Sequence, residues 1–381
     1  MLIMIDFNKE IEALRHSDCL RFLPETDTAN MVNLTTNDYL GLNDRTDLYD
    51  EFLGSYSPST RSMSAASSRL LTGNHLEYRR LEDTLRDLYP TRDALVFNCG
   101  YHANAGVLPA IADKGDLVIA DKLIHASLID GMRLCAAAGV ATLRFNHNDM
   151  THLRRLLVAH SKAAGRVFVV VESIYSMDGD LAPLAELAEL RREFGFWLYV
   201  DEAHAVGVRG RRGEGLVGEL GLEKDVDVIV GTCGKALASE GAWVVSSPVV
   251  RSWLVNKCRT MIFTTGLPPV NVAWTDFIVR KVADMDAERD HLRNLGSWLT
   301  GALGLPEPKG GATQIVPFVC GQNAAAVALS GELRGAGFYV LPIRHPTVPL
   351  GQARLRFSLK ASFTSRDLEP MVELLQTHNQ K

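Results

Sequence analysis

Between Thr46 and Pro269, short, mostly apolar runs alternate with stretches whose apolar positions recur at helical spacing. The runs are Ala94–Phe97, Asp116–Ala120, Val167–Val171, Trp197–Val200 and Val226–Val230. Continuous apolarity over four or five mostly β-branched or aromatic residues is what a strand buried on both faces requires. Between the runs, Leu81, Leu85 and Leu88 recur at i, i+4, i+7, and Leu184, Leu187 and Leu190 at i, i+3, i+6. The second stretch opens at Pro183 and closes at Gly195, the expected order of helix start and stop residues. Strand and helix in alternation predict an α/β fold with a mostly parallel sheet covered on both sides.

The flanks read differently. Residues 1–45 form an N-terminal arm with a short amphipathic stretch around Ile11 and Leu14. Residues 46–270 make the large α/β domain, and residues 271–381 a smaller α+β domain. In the latter, one long helix is predicted from Val272 to about Leu303, with strands at Gln314–Val319, Tyr339–Pro342 and Ala353–Ser358. A last helix begins near Thr364, where Asp367 is placed to close a capping box.

Composition narrows the function classes. Of 381 residues, 46% are hydrophobic, ample for a core, and 40 basic against 45 acidic residues leave a net charge of −5. There is no basic excess to bind a phosphate backbone, so a nucleic-acid partner is disfavoured. No apolar run reaches the ~18–20 residues of a membrane helix. The first residues turn acidic at Asp6 and Glu10 and so do not read as a secretory signal. Six scattered cysteines without a CxxC pair argue against a disulfide framework or a metal site and for a reducing cytoplasm.

In open parallel sheets ligands lie beyond the carboxyl ends of the strands. After Phe97 come Asn98-Cys99-Gly100-Tyr101-His102, and after Val171 come Glu172 through Asp180. After Val200 come Asp201-Glu202-Ala203-His204, and after Val230 come Gly231-Thr232-Cys233-Gly234-Lys235. Singly, each has an ordinary structural explanation: a strand-end Asp caps a turn, a lone His packs, a Lys after Gly is solvated. Together they deliver an anion-binding turn, hydroxyls, an Asp–His pair and a lysine, the set that pyridoxal phosphate (PLP) needs. Asp201 is the candidate to keep the ring nitrogen protonated. A carboxylate ~4 Å away at an effective dielectric near 20 contributes about 4 kcal/mol, or ~3 pKa units. His204 is expected at the ring oxygen and Lys235 as the Schiff-base lysine. The helix start after Gly100, with Thr232, is expected to take the phosphate.

Other readings fare worse. Asp201-Glu202-Ala203-His204 spells the DEAH box of helicase-like NTPases, but the upstream phosphate loop is missing. Gly231–Ala236 has the wrong glycine spacing, lacks a hydroxyl after the lysine and lies downstream. Gly213–Gly218 matches a dinucleotide fingerprint but follows Arg209–Arg212 rather than a strand, and is read as a loop. A catalytically retired scaffold protein is disfavoured by the presence of Lys235.

The two segments around Asp201 and Lys235 resemble the signatures of the α-oxoamine synthases, PLP enzymes of fold type I. So do Thr36–Leu42, Ser68-Arg69-Leu70, Glu172 through Ser176–Gly179, and Thr264–Pro269. The likeness runs from about Arg21 to the end. Near the C-terminus, Ile343–Pro349 and Ala353–Arg356 are most similar to the biotin-pathway branch. The resemblance implies a seven-stranded-type, mostly parallel large domain and a homodimer whose active sites are shared between subunits. It implies the same roles for Lys235, Asp201 and His204, a place for His125 stacked on the ring, and Gly100, Tyr101, Ser176 and Thr232 around the cofactor. Thr264 and Thr265 would serve the partner's phosphate. Arg356 would take the amino-acid carboxylate, while Arg21, Asn37, Ser68 and Thr347 would meet substrate.

The implied reaction condenses L-alanine with a pimeloyl thioester, carried by coenzyme A or acyl carrier protein, with loss of CO2. Glycine C-acetyltransferase, 5-aminolevulinate synthase and serine palmitoyltransferase share the chemistry. Ser68, where aminolevulinate synthases often carry the bulkier threonine, leaves room for alanine's methyl group. The sequence departs from the family at Ser64–Ser67, usually glycine-rich, at Cys99, and at Glu240, where a small residue is frequent.

Overall fold

A computed structural model of the chain describes residues 6–24, 28, 30–57, 62–90 and 92–379. The N-terminal half runs α1 (Phe7–His16), β1 (Val32–Asn33), α2 (Thr46–Ser55), α3 (Leu76–Leu88), β2 (Asp93–Phe97) and α4 (Gly100–Ile111). It continues through β3 (Leu117–Asp121), α5 (Ala126–Ala137), β4 (Ala141–Phe145), α6 (Met150–His160), β5 (Val167–Glu172) and α7 (Leu184–Phe194). Next come β6 (Trp197–Asp201), α8 (Leu216–Glu219), β7 (Val228–Thr232), β8 (Ala242–Ser246), α9 (Pro248–Lys257), α10 (Arg259–Ile262) and α11 (Pro269–Val282). The chain ends with α12 (Asp286–Ala302), β9 (Ile315–Gly321), α13 (Asn323–Gly335), β10 (Phe338–Tyr339), β11 (Pro342–Ile343), β12 (Ala353–Ser358) and α14 (Ser365–Asn379).

Two compact units emerge. One comprises residues up to Asn37, Met177–Gly179 and the chain from Leu292 on; the other comprises Asp38–Ser176 and Asp180–His291. The larger unit takes in residues 38–45 and α11 beside the stretch 46–270, and α2 and α11 pack against each other within it. Phe52 meets Trp274 edge-on at 5.3 Å, and α11 lies along α3.

The larger unit is built on a seven-stranded sheet of order β2-β8-β7-β6-β5-β3-β4. All neighbouring pairs from β7 to β4 are parallel, and β8 runs antiparallel to both β2 and β7. Strands β3, β5, β7 and β8 are buried along their whole length and β6 from Leu198 onward, as their largely apolar sequences require. On one face Phe97, Val118, Val170 and Tyr199 close a core against Ala103 and Val107 of α4 and Leu128 of α5. Helix α7 starts after Pro183 and ends at Gly195, whose φ of 70° is the left-handed turn that glycine adopts without strain.

In the smaller unit β12 lies between β11 and β9 in an antiparallel sheet, and β1 pairs with β10 in parallel. Asp367 accepts from both the N–H (2.7 Å) and hydroxyl (2.8 Å) of Thr364, so the return half of the expected capping box forms, while the Asp367 N–H donates to the Thr364 carbonyl (3.2 Å) rather than to its hydroxyl. The single helix expected over Val272–Leu303 is in fact two, broken at Ala283–Met285. The break has a distant cause. The buried Arg289 guanidinium donates to the carbonyls of Val282 (2.6 Å) and Ala283 (3.4 Å), capping the end of α11, and to that of Arg211 (2.6 Å).

Candidate active site

The carboxyl ends of β5, β6 and β7 deliver Glu172, Asp201 and the turn to Lys235. That turn is tight. Ser239 N–H donates to the Cys233 carbonyl (3.0 Å), and Ala238 sits at φ 43°, a left-handed conformation unusual for alanine. Strand β7 approaches β8 so closely at Gly231 that a Cβ there would lie 2.4 Å from the Trp243 ring. Only glycine fits.

Lys235 Nζ lies 2.9 Å from His204 Nε2, and His204 Nδ1 lies 2.6 Å from the hydroxyl of Tyr39. An ammonium has donors only, so Nε2 accepts from Lys235 and Nδ1–H donates to the Tyr39 oxygen. The imidazole is thereby locked between two partners.

Asp201 is 4% exposed and bound on both oxygens. Ala203 N–H donates to Oδ1 (2.8 Å), and Asn104 Nδ2 donates to Oδ2 (2.6 Å). Asn104, the polar residue among the buried positions of α4, also donates to Ser127 Oγ (3.0 Å) and accepts from Tyr199 OH (2.9 Å).

His125 caps α5: its Nδ1 accepts the Ser127 N–H (3.2 Å) and lies 2.8 Å from Ser127 Oγ, leaving the neutral ring's proton on Nε2. Burial holds its pKa below the usual value, against the pull of Asp201 and with the help of Lys235, so the ring is neutral at neutral pH. Glu172, opposite Asp201 in register, is 2% exposed. Burial and then the Asp201 charge push its pKa well above the ordinary carboxylate range.

Gly100 opens α4, whose first turn receives no side-chain cap from Cys99. A Cβ on Gly100 would stand 3.6 Å from Thr232 Oγ1, so the β7 hydroxyl adjoins the helix start. Tyr101 is half exposed and donates its hydroxyl to Asp130. Ser176 is buried on the loop after β5. Thr265 bridges Ser68 in a strand-like contact, and its carbonyl accepts from Asn98 Nδ2 (2.6 Å). Thr264, next to it, is half buried. The Ser68 loop is itself moored by Arg69, which pairs with buried Glu82 (2.8 Å) and lies 4.0 Å over the Tyr78 ring.

The remaining expected residues belong to the smaller unit, in two pairs. Arg356 directs both terminal nitrogens to Asn37 Oδ1 (3.1 Å each). Arg21 donates to the Thr347 hydroxyl (2.7 Å), and both line a cavity of 610 Å³ walled by Phe22, Leu341, Ile343 and Arg344. Tyr39, Asn104, Ser127 and Glu172 received no role from the sequence alone. Asn104 was detectable as a polar side chain flanked by alanines in the run Ala103-Asn104-Ala105; Glu172 and Tyr39 stood inside the motifs of the family resemblance.

The Gly213–Gly218 segment is a loop into α8, and its amide groups are already taken. Leu216 N–H and Val217 N–H donate to Glu202 (3.0 and 2.6 Å), which also accepts from Ser173 Oγ (2.5 Å). Burial drives the Glu202 carboxyl up to about 7 against these three donors. No dinucleotide site remains there.

Comparison with known proteins gives a consistent picture. The profile of the class I and II aminotransferases matches residues 29–375. An 8-amino-7-oxononanoate synthase from Haemophilus ducreyi is 47% identical over 354 residues, 91% of each chain. One from Chlorobaculum parvum is 42% identical over 386 residues, 97% of each. Among solved structures, Sphingomonas wittichii serine palmitoyltransferase superposes with a TM-score of 0.85 at 31% identity, covering 98% of this chain and 96% of that one. An 8-amino-7-oxononanoate synthase from Francisella tularensis gives 0.75 at 24% identity, covering 92% and 98%, and bears on the fold alone.

Proposed function

From its membership of the class I and II aminotransferases, in the α-oxoamine synthase branch, we propose that the chain condenses L-alanine with a pimeloyl thioester. The products are 8-amino-7-oxononanoate, CO2 and the free thiol, a step of biotin biosynthesis. The observation that carries this is the Lys235–His204 contact beside Asp201 at the ends of adjacent strands, in a chain 41–47% identical to proteins of that name. Serine palmitoyltransferases share the fold at lower identity, and the chemistry is common to both.

The side chains suit PLP on their own geometry. The uncapped start of α4 offers free amide donors for a phosphate, with Gly100, Tyr101 and Thr232 around it. Buried Asp201 is the carboxylate for a ring cation, and His204 Nε2 the partner of a ring oxygen. Bound there, PLP supplies an electron sink for the charge left when a substrate Cα loses its proton. Lys235 Nζ would hold the cofactor as its covalent tether and, when free, would take the substrate Cα proton as general base. Asp201 holds the ring nitrogen's proton. His125, neutral and pinned through Nδ1, stacks on the ring and offers Nε2–H to the carboxylate or developing ketone. Ser176 stands by the ring oxygen. Arg356, preset by Asn37, clamps the alanine carboxylate with its planar fork, Ser68 leaves space for the methyl group, and Arg21 with Thr347 receives the acyl chain.

A homodimer with shared sites belongs to the proposal. Leu71 (78% exposed) and Phe263 (71%) flank the Ser68–Thr265 bridge, an apolar surface that a second copy would cover. There, Thr264 and Thr265 would serve the partner's phosphate. No described helix is long and apolar enough to cross a membrane, and six unpaired cysteines suit a reducing cytoplasm. The decisive assay offers purified protein alanine, glycine or serine with pimeloyl, acetyl, succinyl or palmitoyl thioesters. Turnover with alanine and pimeloyl thioester is expected, and its abolition in Lys235→Ala; preference for another pair would overturn the assignment.

A further inference from the structure

Two acidic side chains end β5 and β6 in register, Glu172 opposite Asp201, on strands ~4.8 Å apart. Paired residues of neighbouring parallel strands project to the same face, so both carboxyl groups lie on one side of the sheet at its carboxyl edge. They are 2% and 4% exposed. Two anions this close and this buried repel each other strongly, and one such group keeps its proton.

The hydrogen bonds decide which. Asp201 receives a charge-strengthening donor on each oxygen, from Asn104 and Ala203. Glu172 Oε1, by contrast, is buried with no hydrogen-bond partner. An ionised oxygen so placed would be an uncompensated buried charge; a protonated one is far cheaper to bury. The titratable groups facing Glu172 are Asp201 on β6, Lys235 in the turn after β7, and Tyr175 on its own loop. The Lys235 charge and nearby backbone amides of His125 and Ser176 favour the anion, but burial and Asp201 outweigh them.

We propose that Glu172 stands as a neutral carboxylic acid in the folded protein, so that the Glu172–Asp201 pair brings one negative charge, not two, to the cofactor pocket. The consequence falls on Lys235. A second anion beside Nζ would hold its ammonium form and oppose its work as nucleophile and base. With Glu172 neutral, the pocket carries one anion for one ring cation. Glu172 is in this sense a positioning residue for charge, acting through Lys235 and Asp201.

The inference rests on the cofactor reading of Asp201, but its test needs no turnover, so either can fail alone. Infrared spectra of the holoenzyme are recorded in H2O and D2O at about pH 8.5, above the value of about 7 at Glu202. The expected result is a protonated-carboxyl C=O band that shifts in D2O and is lost in Glu172→Gln. Thermal unfolding of the cofactor-free protein supplies a second readout. A carboxyl raised in the folded state stabilises below its unfolded pKa and loses that contribution as pH rises through the folded value. The Tm of Glu172→Gln relative to the parent should therefore climb by a few degrees as pH rises above the ordinary glutamate value of 4.5. If the variant does not fold, wild-type protein carrying ¹³C-carboxyl glutamate must show the band displaced. Absence of any such band at about pH 8.5, its survival in Glu172→Gln, or a flat Tm difference overturns the proposal.

Discussion

His147 lies between two carboxylates of the larger unit, with Nδ1 3.0 Å from Asp121 Oδ1 and Nε2 2.8 Å from Asp180 Oδ2. Burial lowers its pKa, but the two hydrogen bonds and the two negative charges outweigh that and raise it from 6.5 to about 10. At 1.36 kcal/mol per unit, the imidazolium contributes at most about 5 kcal/mol to folding. The sign follows from the direction: this stability is fully present below pH ~6.5 and is lost as pH rises through ~10. His147→Asn should therefore cost several kcal/mol at about pH 6 and progressively less toward about pH 10. A residue of about 1 kcal/mol should remain at all pH values, for the lost edge-on packing on Tyr175 at 4.4 Å. Urea titrations of parent and variant at matched pH, read as the difference between them, measure it. A destabilisation constant with pH, or one that grows with it, refutes the charge assignment.

Other perturbations probe other links. Tyr39→Phe removes the 2.6 Å partner of His204 and should lower kcat about 2–10-fold; steady-state kinetics with unchanged kcat would mean the hydroxyl does not orient the imidazole. Arg356→Lys loses the planar fork and should raise KM for alanine about 10–100-fold with little change in kcat; a fall in kcat alone contradicts a carboxylate clamp. Gly231→Ala drives a Cβ into the Trp243 ring and should cost about 1–3 kcal/mol, seen as a drop in Tm; an unchanged Tm would show that the strands can part.

The buried strands were legible because burial on both faces leaves an unbroken apolar signature, and the site followed from what stands just after each strand. β4 escaped notice because only Phe145 at its end is buried, and the other side chains of this edge strand are at least partly exposed. β8 is apolar from Ala242 to Val245, but it returns antiparallel after the glycine-containing turn behind Lys235, outside the strand–helix alternation. The split between α11 and α12 has no local breaker: Ala283, Asp284 and Met285 are all tolerated in helices. It is imposed by Arg289 from the next turn of chain. The Asn104–Asp201 link joins residues 97 positions apart, and no spacing rule reaches that far. Tyr39, similarly, meets His204 only through the fold.

The position of β8 bears on how the protein is made. Strand β2 sits at one margin of the large sheet, and its sole strand neighbour is β8, about 150 residues further on. While the ribosome extends the chain from Phe97 to Ala242, β2 has no ladder to join, and its apolar face must shelter against α3 and α4 or be held by chaperones. A nascent chain stalled before residue 242 should thus display a naked strand margin, ready to recruit whatever extended polypeptide lies nearby.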